Sequence, residues 1–212
     1  MGRVFAAIPV KSLSKSKSRL SSLLKPSERS LLTASMLRDV LNAVKNSMTV
    51  SDAIIVSPDM DVLKLADGLG VQSILQTGSG LNEAISQVVD WCLEKGGSSI
   101  LILPSDIPLV TSEDINEITA LPPKPRAVVI SPSLDGGTNA MLQRPPGVIP
   151  PRYGSDSFRM HLDSAAAARV KTEVYRSPRV SLDIDSPEDL KVFLEKPSRT
   201  FTYRLLSELG FA

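Results

Sequence analysis

The sequence contains very little of two residue types that often carry out catalysis. Among 212 residues there is one cysteine, Cys92, and one histidine, His161. A single cysteine excludes an internal disulfide and any metal site built from several cysteines. Cys92 falls on the apolar face of a predicted helix, where a buried structural thiol is expected. Serine–histidine or cysteine–histidine nucleophilic catalysis is therefore poorly supported, and chemistry that needs no general base fits better.

Aromatic residues, net charge and long apolar runs are scarce as well. Phe, Trp and Tyr make up 4% of the chain, which leaves few side chains for stacking on unpaired bases. The net charge is +1, so no overall field would attract nucleic acid or an anionic membrane. The most apolar run, at 100–103, is far too short to span a bilayer. No leader pattern precedes the first predicted strand, and we expect a cytosolic protein without nucleic-acid or membrane partners.

Short, mainly apolar runs alternate with segments of helical periodicity along the chain. The first pattern predicts buried strands and the second predicts helices. Strands are predicted at 4–8, 53–56, 71–75, 100–103, 127–130, 139–142 and 180–184; helices are predicted at 27–44, 61–69, 81–95, 155–169, 187–193 and 200–209, with one more after Thr111 or Ser112. This order predicts one domain over residues 1–212, a Rossmann-like α/β/α sandwich with a mostly parallel central sheet.

Two helix starts carry recognisable capping residues. Ser27, directly after Pro26, is predicted to cap the helix at 27–44. Ser186 is followed by Pro187 and then by two acids, which is the usual order of a cap, a first helical residue and a negatively charged first turn. Ser186 is therefore predicted to begin the helix at 187–193.

The first loop, residues 9–20, follows the first predicted strand and is strongly basic. It places four cations within nine residues, with serines between them and no acid: Lys11, Lys15, Lys17 and Arg19. Phosphate oxygens bind to cations, hydroxyls and free N–H groups, and this loop offers all three. It lacks the glycines of a P-loop. A solvated basic loop is an equally good interpretation of such a run by itself, but ligands bind at strand ends in open α/β sheets, which favours a triphosphate site.

Asp106 follows the most apolar predicted strand and lies between Pro104 and Pro108. Mg²⁺ is often held by one or two carboxylates together with substrate phosphates, so one rigid acid at this position suits a metal site. The alternative interpretation is a carboxylate that only stabilises a turn at the strand end.

Asp183 and Asp185 lie two residues apart on the strand predicted at 180–184 and just after it, so both would point to the same side. If that strand lies beside the strand of Asp106, three carboxylates meet, and they would hold two Mg²⁺ ions and a triphosphate. One of the two acids could instead do no more than cap the helix predicted at 187–193, although Ser186 is better placed for that.

Six segments in order resemble one known family over nearly the whole chain. They read IPVK with SKSRL at 8–20, GLNEA at 80–84, PSDIP at 104–108, DGGTNA at 135–140, YGSDSF at 153–158 and DIDSPEDL at 183–190. Together they resemble the corresponding segments of the 2-phospho-L-lactate guanylyltransferases of deazaflavin coenzyme F-420 biosynthesis. The members of that family are nucleotidyltransferases with a glycosyltransferase-A-like fold. One departure is Ser16, which stands where relatives often carry alanine.

The resemblance implies that GMP passes from GTP to 2-phospho-L-lactate, giving lactyl-2-diphosphoguanosine and pyrophosphate. It assigns metal binding to Asp106, Asp183 and Asp185, triphosphate binding to Lys11, Lys17 and Arg19, and the acceptor's carboxylate to Thr138, Gly154 and Ser157. Lys17 and Asp106 are then the expected catalytic residues, with Mg²⁺ as cofactor. A simple turn is an equally good interpretation of Gly154 alone.

The residues leave open which side chain reads the base, which acid is the acceptor, the class of function and the oligomeric state. Asn82 or Glu83 could read guanine, but Asn82 could equally cap a helix and Glu83 be an ordinary first-turn acid. Phosphoenolpyruvate, 3-phosphoglycerate or a sugar phosphate could replace 2-phospho-L-lactate. A non-catalytic nucleotide-binding regulator is an alternative of another class, and it would not need three carboxylates. A homodimer is possible, because an apolar face of Phe201, Leu205 and Leu209 would pack on the core or on a second copy.

Overall fold

The computed structural model describes residues 2–13, 16–121 and 125–211. Its centre is a seven-stranded sheet in the order β3-β2-β1-β4-β6-β5-β7. The strands are β1 (Val4–Pro9), β2 (Asp52–Ser57), β3 (Gln72–Leu75), β4 (Ser99–Ile102), β5 (Ala127–Pro132), β6 (Thr138–Arg144) and β7 (Lys171–Val174). Only β6 runs antiparallel to its neighbours β4 and β5 in this sheet of the described residues, which confirms the mostly parallel α/β fold.

The helices are α1 (Pro26–Lys45), α2 (Met60–Gly68), α3 (Gly80–Glu94), α4 (Ser112–Ala120), α5 (Ser157–Ala167), α6 (Pro187–Leu194) and α7 (Phe201–Glu208). Thr111 and Ser186 cap α4 and α6 through their side chains, as predicted. The prediction for Ser27 was wrong, because α1 begins at Pro26 and is capped by Lys25. Proline is well suited to the first helical position, since its missing N–H would have no helical partner there.

Both faces of the sheet are covered by helices. Along β1, Ala6 and Ile8 pack with α1, α2 and α4, whereas the alternating Phe5 and Ala7 pack with α3 and α5. This alternation produces the three-layer sandwich, because successive side chains of a strand point to opposite faces. None of the helices in the described ranges is long and apolar enough to cross a membrane.

A third apolar group, here called the side cluster, joins the first loop to the last third of the chain. It contains Leu20 and Leu24, residues of α1, Leu182 and Ile184, and residues of α6 and α7. Leu20 and Ile184 are fully buried in it. Burial of these side chains ties the end of the first loop to the segment that carries Asp183 and Asp185.

The strand predicted at 180–184 was wrong. This segment joins no sheet; it crosses the strand ends, where Ile184 N–H donates to the Asp106 carbonyl at 3.0 Å and the Ser181 carbonyl accepts from Leu134 N–H at 3.1 Å. Leu182 and Ile184 pack in the side cluster, whereas Val180 packs in the sheet core. The alternating pattern was therefore correct about which side chains are buried, but it did not reveal the hydrogen-bond partners.

The predicted apolar face of the last helix was also wrong in part. Phe201 is 43% exposed, while Thr202 and Leu206 are fully buried. Asp39 on α1 explains this orientation, because it accepts hydrogen bonds from Phe201 N–H at 2.7 Å and from Thr202 N–H at 2.9 Å. Helix α7 thus packs on α1 of its own chain.

Candidate active site

A cleft of about 580 Å³ opens at the carboxyl ends of β1, β2 and β4. The first loop forms one wall with Lys11, Lys17 and Arg19, and Asp106 and Asp185 lie at its floor. The opposite end is lined by Gly80, Leu81 and Ala84 at the start of α3. Cations and carboxylates that are far apart in the sequence therefore meet in one cavity.

Lys17 lies between two of the predicted carboxylates. Its Nζ is 2.6 Å from Asp106 Oδ2 and 2.6 Å from Asp185 Oδ1, and its side chain is only 5% exposed. Burial by itself would lower the pKa of Lys17, but the negative charges of Asp106 and Asp185 outweigh burial and raise this pKa. The ammonium group stays charged and neutralises part of the carboxylate cluster.

The contact with Lys17 shifts the pKa of Asp185 in the opposite direction. Burial would raise the pKa of its carboxyl, but the nearby ammonium of Lys17 outweighs burial and the pKa is lowered. Lys11 and Arg19, which are exposed at the rim of the cleft, add to this effect. Asp185 is thus ionised at neutral pH.

The first loop is anchored on both sides of residues 14–15, which lie outside the described residues and include Lys15, one of the four cations of the loop. Before them, Asp59 Oδ2 accepts from Ser12 Oγ at 2.8 Å and from Leu13 N–H at 2.9 Å. After them, Ser16 Oγ lies 2.7 Å from Thr33 Oγ1 on α1. These bonds hold the loop against α1 and α2.

Lys17 itself has a left-handed backbone conformation, with φ at 55°. A 3-10 turn, Ser18–Leu20, follows directly and places Leu20 in the side cluster. Positive φ is uncommon for a residue with a long side chain. The reversal of the chain at this point directs the lysine toward the carboxylates, while Arg19 stays exposed.

Asp183 lies apart from Lys17 and has a different partner. Asn139 Nδ2 donates to Asp183 Oδ1 at 2.9 Å and also to the Val180 carbonyl at 3.0 Å. Burial raises the pKa of Asp183 to about 6; the charges of Asp106 and Asp185 add to the rise, and the bond from Asn139 opposes it. This carboxylate is therefore short of positive charge.

The three carboxylates fit a hard divalent cation by their chemistry. Oxygen ligands suit Mg²⁺, and the raised pKa of Asp183 indicates that its ionised form needs a further cation. Among the described residues, no group of three His, Cys, Asp or Glu side chains is arranged so that it could hold a metal ion by itself. Since Mg²⁺ takes one or two carboxylates plus phosphate oxygens, a complete protein cage is not required.

The predicted acceptor residues form a second group, here called the acceptor cluster: Thr138, Gly154 and Ser157. Ser157 Oγ donates to Thr138 Oγ1 at 3.3 Å, and Ser157 N–H donates to the Gly154 carbonyl at 3.2 Å. Gly154 has φ at 142°, a conformation that favours glycine. The cluster lies outside the lining of the cleft, but Thr138 is next to Asn139, which contacts Asp183.

Asn82 does not line the cleft. Its Nδ2 donates to the Tyr153 carbonyl at 3.1 Å, and its Oδ1 accepts from Tyr153 N–H at 2.8 Å. Because both ends of the amide are engaged, Asn82 fastens the start of α3 to the segment before Gly154, and the geometry offers no support for base reading. Ser79, not Asn82, is the N-cap of α3, whereas Glu83 is a first-turn acid as one interpretation held.

Sequence reasoning missed three residues that support the site. Asp59 resembles an ordinary helix cap, Asn139 is the one polar residue of the strand predicted at 139–142, and His161 is a lone histidine. A signal existed for Asn139, because an amide that a strand buries rarely lacks a hydrogen-bond partner. No local pattern distinguishes Asp59 from other caps.

Comparisons with known proteins identify the family of this chain. The family model described as "Guanylyl transferase CofC like" matches residues 4–212. A phosphoenolpyruvate guanylyltransferase of Rubrobacter xylanophilus is 41% identical over 88% of this chain and 91% of its own length. A 2-phospho-L-lactate guanylyltransferase of Methanothermobacter thermautotrophicus is 36% identical over 97% and 91%.

The fold has relatives among solved structures as well. A protein of Desulfovibrio desulfuricans G20, whose name assigns it to the nucleotide-diphospho-sugar transferases, superposes with a TM-score of 0.79. The match covers 99% of this chain and 96% of that one at 23% sequence identity. At this identity the likeness supports the α/β/α fold alone.

Proposed function

Because the chain belongs to the CofC-like guanylyl transferase family, we propose that it transfers GMP from GTP to the phosphate of a small phosphorylated carboxylic acid. An acceptor phosphate oxygen attacks the α-phosphorus of GTP. The new P–O bond replaces the bond between the α-phosphorus and the bridging oxygen, and pyrophosphate leaves. The observation that carries the proposal is the meeting of Lys17 with Asp106 and Asp185 in the cleft.

This reaction requires no general base from the protein. A phosphate monoester has a second pKa near 6, so it is already largely ionised at neutral pH and needs no deprotonation. What the protein must supply is positioning and charge neutralisation. Lys17 supplies a buried positive charge, and Lys11 and Arg19 at the rim face the leaving pyrophosphate.

Asp106, Asp183 and Asp185 are the residues that would hold Mg²⁺. The ion, when bound, supplies neutralisation of phosphate charge and orientation of the triphosphate. The low pKa of Asp185 keeps this group ionised, and Asn139 keeps Asp183 oriented. Asp106 and Asp185 contact the first loop through Lys17, and Asp183 contacts Asn139, the neighbour of Thr138 in the acceptor cluster.

The acceptor expected from the resemblance is 2-phospho-L-lactate, which would place the protein in deazaflavin coenzyme F-420 biosynthesis. Phosphoenolpyruvate is a second candidate, and the observation in its favour is the 41% identical relative that is named for it. Both are three-carbon acids with the phosphate at carbon 2. Thr138 and Ser157 offer hydroxyls for the carboxylate of either acid.

The test is pyrophosphate release from GTP by the purified protein with Mg²⁺, supplied in turn with 2-phospho-L-lactate, phosphoenolpyruvate, 3-phosphoglycerate and a sugar phosphate. We expect release with a 2-phospho acid and none without acceptor, with a phosphoanhydride product visible by ³¹P NMR. ATP and CTP serve as controls for the base. GTP binding without turnover on any acceptor would instead support a regulator.

Two further expectations accompany this proposal. A homodimer stays a prediction, which light scattering of the purified protein measures directly. A cytosolic location stays a prediction as well, and fractionation of the producing cells tests it.

A further inference from the structure

His161 is the only histidine of the chain and is fully buried on α5. Both of its ring nitrogens have partners. Nε2 accepts from the backbone N–H of Arg152 at 2.9 Å, and Nδ1 lies 3.1 Å from Thr138 Oγ1. The ring also meets Tyr153 edge-on, with ring centroids 4.7 Å apart. Its orientation is thus determined from three sides.

The partners determine which nitrogen carries the proton. A backbone N–H can only donate, so Nε2 must be the unprotonated nitrogen. Burial, together with the positive charge of Arg152, lowers the pKa of His161 to about 4, so the ring is neutral near pH 7. The single proton therefore resides on Nδ1, and this N–H donates to Thr138 Oγ1.

Thr138 Oγ1 receives a second hydrogen bond, from Ser157 Oγ at 3.3 Å. A hydroxyl has two lone pairs and one proton, and both lone pairs of Thr138 are now engaged. No acceptor for the remaining proton appears among the residues that the structure describes. Thr138 is left able to donate but not to accept.

We propose that His161 is a positioning residue that makes the Thr138 hydroxyl a one-way donor to the carboxylate of the acceptor. The proposal rests on the proposed function, because that function makes Thr138 a contact of the acceptor. A one-way donor favours an anion and disfavours a ligand group that can only donate at the same point. His161 performs no proton transfer, since both of its nitrogens are engaged away from the cleft.

The rival explanation is structural: His161 would serve only to hold the segment of Arg152. Two substitutions separate the explanations. The amide of His161→Asn reaches the position of Nδ1 and keeps a donor for Thr138, whereas that of His161→Gln reaches the position of Nε2 and keeps an acceptor for Arg152. A structural role predicts that glutamine rescues function, and the positioning role predicts that asparagine does.

The kinetic test compares His161→Phe, His161→Asn and His161→Gln in the pyrophosphate-release assay. In His161→Phe we expect the KM for the acceptor to rise about tenfold, the usual effect of one lost hydrogen bond, with the KM for GTP unchanged. Asparagine should recover most of this loss and glutamine little. An unchanged acceptor KM in folded His161→Phe, or rescue by glutamine alone, overturns the proposal.

A second measurement is independent of turnover. Because there is one histidine, the ¹H–¹⁵N spectrum of the tag-free protein contains one imidazole, which should show the Nδ1–H form and no titration between pH 8 and 5.5. A ring protonated on Nε2 overturns the proposal. If the wild-type protein releases no pyrophosphate while the spectrum shows Nδ1–H, the proposed function has failed and the tautomer assignment stands.

Discussion

The ammonium nitrogen of Lys17 lies 2.6 Å from Asp106 Oδ2, although 89 positions separate these residues in the chain. Asp185, 168 positions from Lys17, contacts the same nitrogen at the same distance. The first loop, the end of β4 and the segment before α6 are therefore joined by one buried positive charge. A ligand that carries both positive and negative charges must therefore bind around this contact.

Substitution of Lys17 by methionine is expected to weaken GTP binding at least tenfold, because one charge-assisted contact to the triphosphate is lost. In metal-free buffer the unfolding midpoint should fall by roughly 5 °C, because Asp106 and Asp185 lose their shared counter-charge. Calorimetric titration and thermal unfolding measure the two effects. Lys64→Met is the matched control, since Lys64 is 74% exposed and its salt bridge is with exposed Asp61. An unaltered dissociation constant for GTP in Lys17→Met would contradict the assignment of the first loop to triphosphate binding.

Asp106→Asn is expected to lower Mg²⁺-dependent pyrophosphate release by at least about 100-fold, because a charged partner of Lys17 and proposed metal ligand becomes neutral. The fold should stay intact, since the backbone carbonyl of Asp106 still accepts from Ile184 N–H. Initial rates over a range of Mg²⁺ concentrations measure the effect. Asp61→Asn, at an exposed carboxylate, should behave as wild type. Unchanged turnover in Asp106→Asn would contradict the assignment of Asp106 as a metal ligand.

Asp59→Asn should raise the KM for GTP about tenfold and leave the KM for the acceptor unchanged. The Asp59 carboxylate oxygen accepts from Ser12 and Leu13, and an amide nitrogen placed there cannot accept. The amide oxygen still caps α2 through Asp61 N–H, so helix content by circular dichroism should be retained. Equal increases in both KM values would mean that Asp59 supports the fold and not the loop in particular.

Asp114→Ala is expected to destabilise the protein by about 3–5 kcal/mol. The Asp114 carboxylate is fully buried and accepts from Arg179 Nε and Nη2, each at 2.8 Å, and from Tyr175 OH at 2.8 Å. Urea unfolding measures the change. Asp163→Ala removes an exposed carboxylate that lies 4.0 Å from Arg159, and it should cost less than about 0.5 kcal/mol. Similar losses in the two variants would contradict a special role for the Arg179 pair.

His161 should make the stability of the protein sensitive to acid. Its pKa is about 4 in the folded state, below the value of about 6.5 in an unfolded chain. Between these pH values His161 binds a proton in the unfolded chain but not in the native state. The contribution of His161 to stability is therefore full above pH 6.5 and is lost as the pH falls toward 4. The loss is on the order of 3 kcal/mol.

The difference in free energy of unfolding between wild type and His161→Asn isolates this contribution, because the other titrating groups are common to both proteins. Urea unfolding at pH 7.5, 5.5 and 4.5 measures it. The difference should shrink steadily as the pH falls. A constant difference would show that the native ring accepts a proton as readily as the unfolded one.

Local patterns predicted the layers of the fold better than they predicted strand membership. The strand β7 was not foreseen, because Lys171, Thr172 and Glu173 are polar and only pairing with β5 makes them a strand. Conversely, residues 180–184 alternate as a strand would, yet they pair with no strand. Alternation reports which side chains are buried, whereas strand membership depends on a partner elsewhere in the chain.

The candidate site shows the same division. The position of Asp106 after a buried strand predicted its place at the cleft, since parallel strands end at a common edge. That Lys17 would bridge Asp106 and Asp185 did not follow, because such a contact depends on three distant segments. For Asn82 the sequence indicated a polar residue near a helix start, but not that its amide turns toward Tyr153.

The side cluster has a consequence for the order in which the protein is made. Leu20 and Lys17 are synthesised early, but their partners Ile184, Asp185 and Leu206 are synthesised long after them. A nascent chain that ends before these partners can begin its sheet, yet Leu20 lacks much of its apolar packing and Lys17 has only one of its two counter-charges. If the proposed function is correct, the nascent chain should become able to bind the triphosphate only after these late residues have been made.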